Sequence, residues 1–260
     1  MAIPIRKPAE IEAIKKPAQL VAKALDLAKE MAVVGATGLE IDKACEELIV
    51  KNGGRPSFKG LYGFPNSVCV SKNEVIIHGI PDNIPFKEGD IVGFDIGVEM
   101  NGWYGDAAIT VPIGKVDEKS QELIDVSRDT LYHMIENIKV GMRFKQLSKI
   151  AEDYITSKGY YPLRDYSGHG IGRAPHEEPQ ILNYVEGKPN QGDKIKNGMV
   201  FCIEPMVCQE TGESATLEDD WSVVSLDGKK GSHYEHQIAI VNNKPVILTE
   251  LWAGKQKELT

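Results

Sequence analysis

Long apolar runs are absent from the 260 residues. The first ten residues, MAIPIRKPAE, contain no apolar core of a signal peptide. No later stretch approaches the ~20 apolar residues that span a bilayer. We therefore expect a cytoplasmic protein with no membrane partner. The four cysteines show no CxxC spacing, so neither a zinc knuckle nor a disulfide framework is implied, and we expect reduced, mostly buried thiols.

A basic surface is absent as well. The chain has 38 acidic against 30 basic residues, interspersed, and a net charge of −8. This balance argues against a surface that tracks phosphates and therefore against a specific nucleic-acid partner. With 42% hydrophobic residues, the chain can bury a large core. The simplest organisation is one catalytic domain over residues 1–260.

Hydrophobic periodicity predicts an α+β chain that begins with two helices. Apolar residues recur at steps of three and four from Pro8 to about Met31, the period of an amphipathic helix. Thr37 and Glu40 have the spacing of a capping box, which opens a second helix that ends at Asn52 and two glycines. Short β-branched runs over residues 67–111 predict strands.

The same order of elements recurs in the second part of the chain. A helical pair is predicted at about 119–139 and 144–158, followed by strands to about Leu248. Residues 34–53 and 140–159 also share six of twenty residues at an offset of 106. Two unrelated amphipathic helices could share as many. Together with the repeated order, the match predicts halves of about 1–112 and 113–260, packed around a pseudo-twofold axis with a site between them.

The first half contains a hairpin with two aspartates. Asn101-Gly102 is a favoured two-residue turn, and it sets Asp95 opposite Ala108 and Asp106 opposite Gly97. Both aspartates then lie on one face as diagonal neighbours, with roughly 7–8 Å between their Cα atoms. We expect the small partners to leave space for cations, because two close buried carboxylates repel unless a divalent ion neutralises them. The alternative is a hairpin that faces solvent with solvated acids.

The second half contributes three further candidates. His169 lies among glycines in SGHGIGRAPHEEP, Glu204 interrupts the apolar run VFCIEPM, and Glu235 does the same in HYEHQIAIV. A charged residue in a buried strand costs several kcal/mol unless it is paired or bound to metal. A functional role for both glutamates is therefore favoured, although a lone histidine in a loop is more often structural.

These five residues form a candidate metal centre. Four carboxylates and one imidazole carry a total charge of −4, which two divalent ions balance. Two-metal centres activate a water and polarise a carbonyl, the chemistry of aminopeptidases and other hydrolases. Coordination rich in carboxylates favours manganese, iron(II) or cobalt over a structural zinc, and a catalytic zinc is not excluded.

The order Asp95, Asp106, His169, Glu204, Glu235, with the segments HGIGRAPHEEP and FCIEP, resembles the pita-bread metallopeptidases and, among them, the type I methionine aminopeptidases. The resemblance covers nearly the whole chain and implies a central antiparallel sheet covered by helices. It implies that Asp95 binds one ion, that His169 and Glu204 bind the other, and that Asp106 and Glu235 bridge both. Glu204 would also shuttle a proton.

The resemblance extends to substrate contacts. It implies that His78 and His176 hold the scissile amide and stabilise the tetrahedral intermediate. The methionine pocket carries over as Phe64, Cys69 and Trp221, with Phe58 and Leu61 at neighbouring positions. Pro175 departs from relatives that carry an aromatic residue there, and we expect it to reshape the wall near the scissile bond.

The implied substrates are the N-terminal segments of nascent polypeptides, cleaved when the second residue is small. A transient encounter with the ribosome and a monomeric state are expected with this function. The 35 residues from His169 to Glu204 leave no room for the helical insertion of type II enzymes.

Two alternatives remain open. A proline-specific peptidase shares the fold and the ligand types, but the 94 residues before Asp95 cannot easily contain its additional N-terminal domain. A non-catalytic pita-bread binding module would have lost ligands, whereas all five are present here.

Overall fold

The computed structural model describes residues 2–250 of the chain. Its helices are α1 (Pro8–Met31), α2 (Gly38–Lys51), α3 (Glu118–Asn137) and α4 (Phe144–Ser157). The first half of the chain contains the strands β1 (Arg55–Pro56), β2 (Val68–Lys72), β3 (Val75–Ile77), β4 (Ile91–Met100) and β5 (Trp103–Pro112).

The second half contains the strands β6 (Tyr161–Pro162), β7 (Ser167–Gly170), β8 (Glu177–Leu182), β9 (Val200–Ile203), β10 (Met206–Cys208), β11 (Ser214–Thr216), β12 (Val223–Ser225), β13 (Gly231–His233), β14 (His236–Val241) and β15 (Lys244–Ile247). The mixture of helices with antiparallel strands confirms the α+β class.

Local sequence determines where α2 begins. The backbone N–H of Thr37 donates to the Glu40 carboxylate at 2.9 Å, and the N–H of Glu40 donates back to the Thr37 hydroxyl at 3.3 Å. This reciprocal pair satisfies two amides that have no partner inside the helix, and it confirms the predicted capping box. The helix ends at Lys51 with Asn52 as its C-cap, and Gly53 adopts the left-handed conformation (φ 79°) that suits a residue after a helix.

Helices α2 and α4 show the predicted offset. Each has 14 residues, and both bounds of α4 lie 106 residues after those of α2. Gly35 and Gly141, which precede them, both have φ 92°. The division of the chain into two halves about a pseudo-twofold axis stays a prediction.

Two sheets meet at the centre of the molecule. In the first, β4 pairs with β1, β2 and β5, and in the second the strand order is β15-β14-β9-β7-β8. A bridge between Ala108 of β5 and Glu235 connects them, with the N–H of Glu235 donating to the Ala108 carbonyl at 2.8 Å. Smaller sheets, β13-β10-β6 and β11-β12-β3, complete the fold.

Helix α1 covers the first sheet and lies very close to it. A Cβ atom at Gly105 would lie 2.5 Å from the backbone nitrogen of Ala18, so only glycine permits this approach. Apolar residues of α1, including Leu25, are fully buried against β4 residues such as Phe94. Burial of each such side chain contributes ~1.5–3 kcal/mol, and this packing holds the strands that carry Asp95 and Asp106.

Within residues 2–250, no helix combines the length and hydrophobicity needed to cross a membrane. All four cysteines, Cys45, Cys69, Cys202 and Cys208, are free and buried, as predicted.

Candidate metal centre

The hairpin of β4 and β5 has the predicted register. Asp95 pairs with Ala108 and Gly97 pairs with Asp106, so both aspartates lie on one face. The turn residues Asn101 and Gly102 have φ values of 55° and 73°, the left-handed conformations that a type I′ turn requires. Turn chemistry alone therefore determined which side chains meet.

The two small residues of this face have a different role from the one expected. We expected Gly97 and Ala108 to leave space for cations, but a Cβ at Gly97 would collide with Ser57 and lie 2.6 Å from the ring of Phe58. The backbone of Glu235 bridges to Ala108. The small size of Gly97 lets Ser57 and the pocket wall at Phe58 approach, and Ala108 lies beside the backbone of Glu235, which carries the third carboxylate.

Acidic side chains from both sheets converge at this face. Carboxylate oxygens of Asp95, Asp106 and Glu235 lie within 4.8 Å of one another. The Nε2 atom of His169 lies 3.5 Å from the Glu204 carboxylate. Strands β4 and β5 thus supply two members of the group and the second half supplies three.

The carboxylates of this group are buried without enough hydrogen-bond donors. Among the described residues, one oxygen each of Asp95, Asp106 and Glu235 is buried without a hydrogen-bond partner. Burial raises the pKa of Asp95 to about 7, and it raises the pKa of Asp106, Glu204 and Glu235 well above the usual range. Such groups need protons or cations, and divalent ions fit oxygen ligands at this spacing.

The imidazole of His169 is oriented as a ligand. Its Nδ1 lies 3.0 Å from the Gly170 carbonyl, which can only accept, so Nδ1 carries the proton and Nε2 faces Glu204 with a free lone pair. Burial, followed by the neighbouring His176, lowers the pKa of His169 to about 3. The ring therefore stays neutral, the state that binds metal.

Cys202 also lies within reach of this group, which sequence reasoning missed. Its sulfur, a His169 nitrogen and a Glu235 oxygen lie within 4.8 Å of one another. Burial, followed by the charges of Glu235 and Asp106, raises the pKa of the Cys202 thiol well above its usual value. In the metal-free protein the thiol therefore stays protonated, and Cys202 lies beside the oxygen and imidazole donors.

One cavity of about 510 Å³ brings together the residues that the sequence assigned to the metal centre, to the substrate histidines and to the methionine pocket. Its lining contains the predicted metal ligands, the two predicted substrate histidines and the predicted methionine pocket, namely Asp95, Asp106, His169, Glu204, Glu235, His78, His176, Phe58, Leu61, Phe64, Cys69 and Trp221. The predicted site is therefore contiguous.

Two histidines flank the metal ligands. His78 adopts a left-handed conformation (φ 58°), which is uncommon for a residue with a Cβ and sets the direction in which its side chain leaves the backbone. Burial, followed by the proximity of His176, lowers the pKa of His78 to about 4. The ring of His176 lies 4.6 Å from that of His169, and burial lowers its pKa too. Both rings are neutral N–H donors near pH 7.

The other end of the cavity is apolar. Phe58, Phe64 and Cys69 form a buried cluster with Trp221, whose ring lies 5.1 Å from that of Phe64 in an edge-to-face arrangement. Cys69 pairs with Asp95 across strands β2 and β4. The apolar end and the metal ligands are thus joined by neighbouring strands. The effect of Pro175 stays a prediction.

Two further residues at the site were not predicted. His233 is buried, and its Nε2 lies 3.7 Å from the Glu204 carboxylate. Its position two residues before Glu235 was the available sequence signal. Tyr62 lines the mouth of the cavity, and its ring is nearly parallel to that of His176 with 6.5 Å between centroids. No sequence pattern marks it.

Comparison with known proteins shows that this chain is similar to metallopeptidases. Residues 12–242 match the profile of metallopeptidase family M24. A methionine aminopeptidase of Helicobacter pylori is 56% identical over 252 residues, which are 96% of this chain and all of that protein. The crystal structure of a methionine aminopeptidase from Thermotoga maritima superposes with a TM-score of 0.93 at 40% identity, covering 96% of this chain and all of that one.

A proline-specific enzyme is similar in a more limited way. The prolidase of Pyrococcus furiosus superposes with a TM-score of 0.77 at 26% identity and covers 95% of this chain. Only 65% of the prolidase is covered. The remaining third of that enzyme has no counterpart in this chain.

Proposed function

The chain belongs to metallopeptidase family M24 and, within it, to the methionine aminopeptidases, and from this premise we propose how its cavity removes an N-terminal methionine. It is a metallo-aminopeptidase of the type I group. The observation that carries the proposal is that the carboxylate and imidazole cluster and the apolar pocket share one cavity.

We assign two divalent ions to the cluster. Asp95 would bind one ion, His169 and Glu204 the other, and Asp106 and Glu235 both. When bound, the ions would activate a water and polarise the scissile carbonyl. Oxygen-rich coordination suits manganese, iron(II) or cobalt, and zinc is also compatible with the donors.

Glu204 is the proposed proton carrier. Burial, followed by the charges of Asp95 and Asp106, raises the pKa of this carboxyl well above its usual value. Its place beside His169 in the cluster suits it to take a proton from the attacking water. The same proton would pass to the leaving nitrogen as the carbon–nitrogen bond breaks, which releases methionine and the shortened peptide.

His78 and His176 would recognise the peptide bond under attack. Both are neutral near pH 7, so each offers one N–H to the carbonyl oxygen or keeps the amide in place. A donor is most effective where negative charge develops in the transition state. The methionine side chain would occupy the apolar end, between Phe64, Cys69 and Trp221.

We expect activity on Met-Ala-Ser to depend on metal and to exceed activity on Met-Lys-Ser, because a small second residue is preferred. The protein would be stripped by chelation and assayed after single divalent ions are restored. Equal cleavage of both peptides, or full activity after thorough chelation, would contradict the assignment. Greater activity on Ala-Pro than on Met-Ala-Ser would favour a proline-specific peptidase.

A non-catalytic binding module is tested by metal titration. Calorimetric binding of two ions together with cleavage is expected, whereas no binding by the folded protein would support the module. A monomeric state, a cytoplasmic location and a transient encounter with the ribosome form part of the proposal, because newly made chains expose the N-terminal methionine.

A further inference from the structure

Helix α2 presents a buried carboxylate to the pocket segment, residues 58–69, which carries much of the apolar end of the cavity. One oxygen of Asp42 accepts from the backbone N–H groups of Ser67 and Val68 at 2.8 and 2.9 Å. The other accepts from the side-chain amide of Asn66 at 2.9 Å. Only 6% of Asp42 is exposed. Three hydrogen bonds thus attach this end of the segment to the helix.

The attachment lies directly beside the pocket and the metal ligands. Val68 is followed by Cys69, which lines the cavity and pairs with Asp95 across strands β2 and β4. Partners across a ladder lie on the same face of a sheet, so Cys69 and Asp95 share one. Asp42 itself does not line the cavity. It bonds the residues that lead into the pocket without lining the cavity itself.

Glu46, one turn further along α2, makes a weaker attachment. It accepts from the Ser67 hydroxyl at 2.8 Å and pairs with Lys59, which follows Phe58, at 2.8 Å. The side chain of Lys59 is 51% exposed. Exposed pairs of this kind contribute little, so the buried Asp42 dominates and Glu46 provides a matched control on the same helix face.

We propose that Asp42 is a positioning residue that holds the methionine pocket at its working distance from the metal centre, and so sets the preference for methionine over branched side chains. This inference rests on the proposed function. If the pocket wall shifts, the side chain of the substrate's first residue fits differently, while the metal ligands stay in place. The signature is therefore a change in selectivity, not a uniform loss of activity.

The experiment compares Met-Ala-Ser with Leu-Ala-Ser in metal-loaded protein. Asp42→Asn keeps an oxygen for Ser67 and Val68 but replaces the carboxylate with a weaker, neutral acceptor, and Asn66 must turn its side-chain amide over to accept from the new NH₂ group. We expect the ratio of kcat/KM values, methionine over leucine, to fall about tenfold, mainly through a higher KM for the methionine peptide. Metal stoichiometry should not change, and the Ser67 and Val68 amides should exchange hydrogen faster.

A compensating substitution provides the rescue. In the double variant Asp42→Asn with Asn66→Asp, the amide introduced at position 42 can donate to the new carboxylate at position 66. We expect selectivity and amide exchange to return toward the parent values, and Glu46→Gln to change selectivity less than twofold. An unchanged ratio in Asp42→Asn, or an equal loss on both peptides, would overturn the inference.

The parent protein and a milder variant distinguish a failure of the proposed function from a failure of the role assigned to Asp42. A parent that does not cleave Met-Ala-Ser would refute the proposed function, whereas an active parent with insensitive variants would refute only the role of Asp42. If Asp42→Asn fails to fold, Asn66→Ala removes a single bond and carries the same test. A ratio that does not change in Asn66→Ala would then decide against the proposal.

Discussion

Replacing His176 with alanine is expected to lower turnover of Met-Ala-Ser by roughly 10²–10⁴ while both metal ions stay bound, because one positioned donor contributes about this factor. His176 lines the cavity, and its neutral ring lies beside that of His169 without being part of the oxygen cluster. Loss of the His176 ring would therefore weaken stabilisation of the transition state and leave the metal ligands in place. Calorimetry and steady-state kinetics on the same preparation provide the measurement.

Two histidine variants complete this test. His169→Ala should weaken metal binding itself, because the variant removes the Nε2 that faces Glu204. His133 packs against Tyr154 with 5.0 Å between ring centroids and does not line the cavity, so His133→Ala should leave both properties near the parent values. Loss of a metal ion from His176→Ala would show that the proposed division between ligand and substrate contact is wrong.

The parts of this molecule that the sequence predicted are those controlled by local rules. The capping box at Thr37 marked the start of α2, and the Asn101-Gly102 turn determined the whole register of β4 and β5. Each depends on residues close in the chain. The pairing of Asp95 with Ala108 followed because side chains alternate along a strand and the turn length was known.

The parts that were not predicted depend on contacts distant in sequence. The ring of Phe58 lies beside Gly97, and the backbone of Glu235 meets Ala108, so other segments occupy the space next to these two small residues while both aspartates still line the cavity. Asp42 occurs in an amphipathic helix, where an acidic residue usually faces water. Only the packing of α2 against the end of the pocket segment shows that it is buried and bonded.

Replacing Asp106 with asparagine is expected to stabilise the metal-free protein at pH 8 and to abolish most of the stability gained from metal. Burial, followed by the charges of Glu235 and Asp95, raises the pKa of Asp106 well above 3.8. A raised carboxyl pKa contributes stability that is fully present below the unfolded value and is lost as pH rises through the folded value. At pH 8 the metal-free parent must therefore either keep a buried charge at Asp106 or take up a proton there on folding, and both lower its stability.

The difference in Tm between Asp106→Asn and the parent isolates this charge, because the buried histidines titrate in both proteins. Without metal we expect the variant to melt roughly 4–8 °C higher at pH 8, since ~2 kcal/mol corresponds to that shift in a domain of this size. Toward pH 4 the advantage should shrink, because the carboxyl of the unfolded parent then also becomes protonated near its ordinary pKa of 3.8 and folding no longer carries the penalty. With manganese the order should reverse, because only the parent keeps the carboxylate that joins both ions.

The exposed Glu213 offers a control, and Glu213→Gln should alter Tm little at either pH. If metal-free Asp106→Asn melts below the metal-free parent at pH 8, the Asp106 carboxyl is not the destabilising buried group proposed here. If the variant gains as much Tm from manganese as the parent does, Asp106 is not the bridging ligand.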